Sequence, residues 1–166
     1  MDGEGAGGGV LLVGSRPGPD EDAVGRPQVG KTGAMLRSLV EELVGNELPE
    51  GTPVRYTNAV RCFGNGRAGT PQEVAACRGY LLREIEDTKP TLIVLMGEEP
   101  MRALFKVSAP VRDVHGATLS FGGVPVFITY SPAAAVRNTV VFDWWLRDMA
   151  SWPSIEVMSS NFEVRV

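Results

Sequence analysis

The chain has 166 residues, of which 43% are hydrophobic and 22% are charged, a composition typical of a globular protein with one buried core. The net charge of −4 at pH 7 argues against a strongly basic surface of the kind that binds nucleic acid without specificity. No apolar run reaches the roughly 18 residues of a membrane span, and two cysteines without a secretion signal indicate a reducing, cytoplasmic location.

The glycine-rich segment 1–9, MDGEGAGGG, is predicted to be a disordered leader, and a single domain is predicted over residues 10–166. That domain opens with VLLVG at 10–14, an apolar run ended by glycine, which is typical of a buried parallel strand. Apolar residues between 35 and 43 then recur at helical spacing, and 53–60 predicts a second strand.

The clearest helix signal in the chain begins at Thr70. This residue is a suitable N-cap, Pro71 suits the first helical position, and Glu73 completes a capping box. The remaining predicted elements are a strand at 91–97, a helix at 98–105, a hairpin at 118–129 that leads into a further core strand, and a closing helix at 140–152.

Strands that alternate with helices in this way predict an α/β fold with three layers, α/β/α, around a central, mostly parallel sheet of four strands. Ligands of such sheets bind where the carboxyl ends of the strands meet their loops. We therefore expect the functional residues at that edge of the sheet.

The stretch GRPQVGKT at 25–32 matches the P-loop pattern G-x-x-x-x-G-K-[ST]. In a working P-loop, the strand ends at the first glycine and a helix begins at the Lys-Thr pair. Here the first predicted strand ends near Gly14, well before Gly25, and no later strand ends in a magnesium-binding aspartate. We therefore predict that this segment does not bind ATP.

Three arginines, Arg55, Arg61 and Arg67, lie between residues 51 and 72 without an acidic residue among them. They belong either to a solvated loop or to a surface that contacts DNA phosphates. Both interpretations stay open at the level of sequence.

The segment VLLVGSRPGPDEDAVGRPQVGKTG resembles the opening of the uracil-DNA glycosylase superfamily, above all family 4, whose motifs read roughly V-G-E-A-P-G-x-x-E-D and then G-R-P-F-V-G-x-x-G. Three later stretches agree in order and spacing: YTNAVRC at 56–62, the capped helix and strand at 70–97, and TYSPAAAVRN at 129–138. Together they cover most of residues 10–150. The resemblance implies the family's fold and its activity, removal of a damaged, flipped-out base from DNA by hydrolysis of the N-glycosidic bond.

The resemblance also implies a set of binding residues. Asn58 matches the asparagine that reads the edge of the base, although an asparagine at a strand end also caps turns. The base-binding residues implied are Gly14, Arg16, Pro17, Gly18, Gln28 and Asn58. The DNA-binding residues implied are Lys31, Pro132, Arg137 and Asn138, with Arg137 as a phosphate contact.

The differences from the family pattern fall on the chemistry. Ser15 replaces the glutamate associated with water positioning, Gln28 replaces a stacking phenylalanine, and Ser131 replaces the histidine that binds the leaving oxygen. A serine hydroxyl still donates a hydrogen bond, and Asp20 is close enough in sequence to supply a substitute carboxylate. We therefore predict Ser131, Asp20 and Ser15 as catalytic residues.

Family 4 enzymes hold a [4Fe–4S] cluster with four cysteines. Cys62 and Cys77 match the second pair in position, but nothing before Val10 matches the first pair. Two thiolates do not complete such a site, so we predict no iron–sulfur cluster, no other metal or cofactor, and a packing role for both cysteines.

Two functions from different classes remain. The first is a monomeric DNA glycosylase with altered specificity or a reduced rate. The second is a catalytically inactive protein on the same scaffold that binds DNA or a replication or repair partner. The replacements at Ser15, Gln28 and Ser131 separate the two, and neither involves a membrane.

Overall fold

The structure, a computed structural model, describes residues 1–154. Its strands are β1 (Val10–Gly14), β2 (Val54–Asn58), β3 (Leu92–Met96), β4 (Thr118–Phe121) and β5 (Val124–Thr129). Its helices are α1 (Pro19–Val24), α2 (Lys31–Glu47), α3 (Pro71–Thr88), α4 (Glu98–Phe105), α5 (Val111–Val114), α6 (Pro132–Arg137) and α7 (Thr139–Ser151), followed by a 3-10 turn at Trp152–Ser154. Residues 155–166 of the predicted domain lie outside the described residues.

Over residues 1–154 the strands form a five-stranded sheet in the order β2-β1-β3-β5-β4. All neighbouring pairs are parallel except β4 and β5, which pair antiparallel. The predicted α/β fold with a mostly parallel sheet is confirmed, but the predicted number of four strands is wrong. The first arm of the 118–129 hairpin pairs with the second from Thr118↔Phe127 to Phe121↔Val124, which extends the sheet by one edge strand.

The central strands β1 and β3 are buried along their whole length, as continuous apolar runs covered on both faces should be. Alternate side chains enter opposite cores. Leu12 packs in one core with Leu36 and Trp145, and Val13 packs in the other with Leu81. The helices that supply these residues hold the sheet between two layers.

The capping box predicted at the start of α3 is present. The hydroxyl of Thr70 accepts a hydrogen bond from the Glu73 amide at 3.2 Å, and the Glu73 carboxylate accepts one from the Thr70 amide at 2.8 Å. These bonds satisfy amide groups that the helix itself leaves unpaired.

Residues 1–9, predicted to be a disordered leader, instead lie against the domain. Glu4 exchanges two backbone hydrogen bonds of 2.8 Å with Tyr56 on the free edge of β2. Its carboxylate binds Arg26 at 2.6 Å and Arg37 at 3.2 Å. Composition alone does not show that a free strand edge and two arginines are available to pair with the segment.

The four parallel strands end at the same edge of the sheet, where Gly14, Asn58 and Thr129 are the last residues of β1, β2 and β5.

Among the described residues, no helix is both long enough and apolar enough to cross a membrane.

Candidate active site

The carboxyl ends of the strands open onto a cleft of about 520 Å³. The cleft is lined by nearly all of the predicted site residues: Gly14, Ser15, Arg16, Pro17, Gly18, Asp20, Gln28, Lys31, Asn58, Ser131, Pro132 and Arg137. The exception is Asn138, whose side-chain oxygen accepts hydrogen bonds from Val140 N at 2.9 Å and Val141 N at 3.2 Å and so caps α7. Asn138 therefore caps α7, and the DNA-binding role predicted for it stays a prediction.

Two side-chain amides meet over Gly14 at the floor of the cleft. Asn58 is only 4% exposed, and its Oδ1 is buried without a hydrogen-bond partner within the described part of the chain. A Cβ on Gly14 would lie 2.7 Å from Asn58 Oδ1 and 2.7 Å from Gln28 Nε2, closer than side chains allow. Glycine at this position therefore leaves room for both amides, and an unpaired buried acceptor is a group that a ligand can satisfy.

Gln28 is held in an unusual backbone conformation, with φ at 55°. Arg37 Nε donates to the carbonyl of Gln28 at 2.8 Å, and a second Arg37 nitrogen donates to the carbonyl of Pro27 at 2.7 Å. Gly33 of α2 packs directly on Gln28, since a Cβ there would lie 2.4 Å from the Gln28 backbone. The loop that presents Gln28 to the cleft is thus fixed from both sides.

The start of α2 does not have the geometry of a P-loop. Helix α1 lies between β1 and Gly25. The amides of Val29 and Gly30, which a P-loop would direct at phosphate, donate to Glu21 Oε1 at 3.1 and 2.8 Å. The other oxygen of Glu21 accepts from the Gly18 amide at 3.1 Å. Glu21 therefore ties the first motif to the α2 N-terminus, a role that its place in an acidic run did not reveal.

Ser131 is the N-cap of α6, where its Oγ accepts a hydrogen bond from Ala134 N at 3.1 Å. The hydroxyl hydrogen has no acceptor among the described residues, so it remains available to donate into the cleft. The backbone therefore orients this hydroxyl without using its proton.

Arg16 lines the cleft, but its guanidinium binds protein acceptors. It donates to the carbonyl of Cys62 at 2.9 and 3.0 Å, to that of Ala68 at 3.3 Å, and to the Glu73 carboxylate at 3.2 Å. The Thr70 amide, followed by Arg67, lowers the pKa of Glu73 to about 2. Arg16 therefore holds the loop between β2 and α3 in place, and the base-binding role predicted for it stays a prediction.

The sequence left two interpretations for the three arginines between residues 51 and 72, a solvated loop or a surface that contacts DNA phosphates. Neither interpretation applies to all three. Arg55 Nε and Arg61 each bind the Glu84 carboxylate at 2.6 Å, and Thr57 Oγ1 donates to the same group at 2.7 Å. We call Arg55, Thr57, Arg61 and Glu84 the edge network. Only Arg67, paired with Glu73 at 2.9 Å, stays on the exposed loop.

Several residues that line the cleft were not predicted as site residues, and Glu99 is one of them. Glu99, in the first turn of α4, accepts a hydrogen bond of 2.9 Å from Ser15 Oγ, 84 residues away in sequence. It lines the cleft and also a second cavity of about 370 Å³ that Ser15 and Ser131 share. The sequence signal available was an acid three residues after the end of the buried strand β3, where sheets of this type place their sites.

The fold and the cleft define an α/β protein with its site at the carboxyl ends of parallel strands. The family model of the uracil DNA glycosylase superfamily matches residues 3–150, and the chain belongs to this superfamily.

Several relatives are Type-4 uracil-DNA glycosylases. The chain is 34% identical over 138 residues to that of Saccharolobus solfataricus, an alignment that covers 78% of this chain and 62% of the relative. It is 36% identical over 135 residues to that of Thermotoga maritima, with 78% and 67% covered, and 34% identical over 151 residues to that of Pyrobaculum aerophilum, with 86% and 75% covered. The chain thus spans about three fifths of the length of the Saccharolobus relative.

These relatives correct the prediction that the protein has no cofactor, because Type-4 enzymes carry an iron–sulfur cluster. The residues described here do not fit a Cys₄ cluster by themselves. Cys62 is exposed, Cys77 is half-buried, both are free thiols, and no group of three or more His, Cys, Asp or Glu side chains within residues 1–154 is arranged to hold a metal ion. The packing role predicted for Cys62 is wrong because its side chain faces solvent.

Proposed function

We propose that this protein is a DNA glycosylase that hydrolyses the N-glycosidic bond of a flipped-out base, with altered specificity or a reduced rate on uracil. The observation that carries the proposal is the buried, unpaired Oδ1 of Asn58 at the floor of a cleft of about 520 Å³. A base edge that offers an N–H group satisfies this acceptor, and membership of the superfamily supports the same reaction.

The residues around Asn58 supply the other requirements of base excision. Gly14 leaves room for the Asn58 and Gln28 amides at the floor of the cleft. The free hydroxyl hydrogen of Ser131 donates to the negative charge that grows on the departing base. Lys31 and Arg137 are exposed at the rim of the cleft, where they contact phosphates of the DNA.

The altered specificity follows from what Gln28 and Ser131 present to the base. An amide at Gln28 offers hydrogen bonds where an aromatic ring would offer stacking, and base–aromatic stacking contributes about 1–3 kcal/mol per base. The Ser131 hydroxyl is a single, short donor. Both features favour a base with additional polar groups over uracil itself.

The activity is tested with DNA duplexes and single strands that carry uracil, hypoxanthine, xanthine or hydroxymethyluracil, scored for abasic sites under single-turnover conditions. We expect excision of at least one base, and we expect Asn58→Ala to lower that rate about 10²-fold, as loss of a positioned polar group does. Asn46→Ala, an exposed asparagine on α2, is the matched control. If the protein binds all of these DNAs and releases no base, it is the inactive DNA- or repair-partner-binding protein instead.

The DNA contact is tested through salt. Each phosphate contact contributes about 0.9 to the slope of log K against log salt, so Arg137→Ala should reduce the slope by about that amount and weaken binding to different sequences equally. Arg147→Ala, an exposed arginine of α7 away from the cleft, should leave both unchanged. If the Arg137→Ala variant has the same salt slope as the parent protein, α6 is not part of the DNA interface.

The monomeric state and the cytoplasmic location stay predictions within this proposal. The two free thiols support a reducing compartment.

A further inference from the structure

Three acidic side chains line the cleft, and their surroundings differ. Both carboxylate oxygens of Glu21 accept hydrogen bonds from backbone amides, those of Gly18, Val29 and Gly30. Asp20 is exposed, at the start of α1 beside the N-terminus of α2. Glu99 is half-buried and accepts one hydrogen bond among the described residues, from Ser15.

Glu99 also lies beside the groups assigned to the reaction. A Cβ built on Gly97 would lie 3.0 Å from Ser15 Oγ, 3.7 Å from Ser131 Cβ and 3.8 Å from Glu99 Oε2, so these three side chains surround one small region. The Ser131 hydroxyl is the donor proposed for the leaving base. A carboxylate therefore lies next to the donor proposed for the leaving base.

We propose that Glu99 is the catalytic carboxylate of this site and that Ser15 is the residue that positions it. This inference rests on the proposed function. Cleavage of the bond between C1′ and the base nitrogen leaves both electrons on the base, whose charge the Ser131 hydroxyl stabilises. The sugar becomes an oxocarbenium-like cation, which the negative charge of Glu99 stabilises.

Water then completes the reaction. The oxygen of a water molecule held by Glu99 forms the new bond to C1′, and one of its protons passes to the carboxylate and from there to the departed base. The products are the free base and an abasic sugar, with no further reactant consumed. Glu99 also lines the second cavity of about 370 Å³, from which that water enters.

The charge of Glu99 is tested without requiring turnover. DNA is prepared with a neutral tetrahydrofuran or a cationic pyrrolidine at the abasic position, because the cation mimics the charged sugar. The parent protein should bind the cationic DNA more tightly, and Glu99→Gln should lose this preference by roughly tenfold or more, the value of a hydrogen bond to a charged group. Glu86→Gln, an exposed glutamate of α3 that lines neither cavity, should keep it.

The same variants are compared in the single-turnover assay on the base that is excised fastest. Glu99→Gln should lower the rate about 10²-fold, the usual contribution of a general base. Ser15→Ala should lower it about tenfold and reduce the cation preference in part, since the carboxylate remains but loses its hydrogen bond.

Moving the carboxylate gives an independent check. Ser15 and Glu99 are in hydrogen-bond contact, so Ser15→Glu alone places two carboxylates together and should lower the rate. Ser15→Glu combined with Glu99→Ala keeps one carboxylate in the same place and should be faster than Glu99→Ala alone.

The outcomes separate this inference from the proposed function. Base excision that Glu99→Gln leaves unchanged, together with an unchanged cation preference, overturns the role of Glu99 and keeps the glycosylase. If Asp20→Asn loses the cation preference and Glu99→Gln keeps it, Asp20 is the catalytic carboxylate, and the role of Glu99 is again overturned. A cation preference that depends on Glu99 in a protein that excises no base supports the role and overturns the glycosylase. A protein that shows neither base excision nor a cation preference overturns both the role of Glu99 and the proposed function.

Discussion

Two glutamates, Glu84 in the edge network and Glu99 in the cleft, differ in how completely their carboxylates are bonded. Glu84 is 8% exposed and its two oxygens bind Arg55, Arg61 and Thr57 at 2.6 to 2.7 Å. Glu99 binds one hydroxyl at 2.9 Å. A carboxylate that accepts several hydrogen bonds contributes to the folded structure, whereas one with most of its acceptor positions free remains available to water, substrate or a developing positive charge.

The same contrast holds between neighbouring residues of β2. Thr57 donates its hydroxyl hydrogen to Glu84, while the Oδ1 of Asn58 has no partner among the described residues. The edge network is therefore optimised for stability, and the cleft retains polar groups that cost stability until a ligand binds.

The largest expected effect concerns the edge network. Glu84→Gln leaves two half-buried arginines without their counter-charge, which should lower the free energy of unfolding by about 3 kcal/mol. Urea denaturation at neutral pH measures this. Glu86→Gln, an exposed glutamate on the same helix, should change the value by less than about 0.5 kcal/mol. Equal effects for the two variants would show that the network does not stabilise the fold.

A smaller effect of opposite sign is expected in the cleft. Asn58→Leu removes a buried, unpaired acceptor with little change of shape, so it should raise the free energy of unfolding by up to about 1 kcal/mol. Thr57→Val, one residue away, should lower it by about 1–2 kcal/mol because it breaks the bond to Glu84. If both variants lose stability to the same extent, Asn58 has a structural partner and the contrast within β2 fails.

The smallest expected effect is a dependence on pH. The Thr70 amide and Arg67 lower the folded pKa of Glu73 to about 2 from its usual 4.5, so its contribution to stability is complete above about pH 4.5 and is lost as the pH falls towards 2. Urea denaturation between pH 5 and pH 2.5 should show a steeper loss for the parent than for Glu73→Gln. Identical slopes would mean that the Thr70 amide and Arg67 do not lower the pKa of Glu73 in the folded protein.

Much of the fold was predictable because it depends on local patterns. The apolar runs at β1 and β3, the helical spacing in α2 and the capping box at Thr70 each act over a few residues, and each element is present. The same locality explains the misses. Whether the first arm of the predicted hairpin adds a fifth strand to the sheet, and whether Glu4 pairs with Tyr56, depends on which strand edges remain free, which no short segment records.

The sequence by itself determined the α/β class, the superfamily and a set of loop residues that the structure brings to one cleft. Only the tertiary structure decided what those side chains do. Arg16 and Asn138 have the expected residue types, but nearer acceptors and amides on the folded chain occupy them. Glu99 became visible because folding placed it against Ser15, 84 residues away. Motifs specify where the backbone goes, whereas the bonding state of each polar group depends on neighbours that are distant in sequence and meet only in the folded protein.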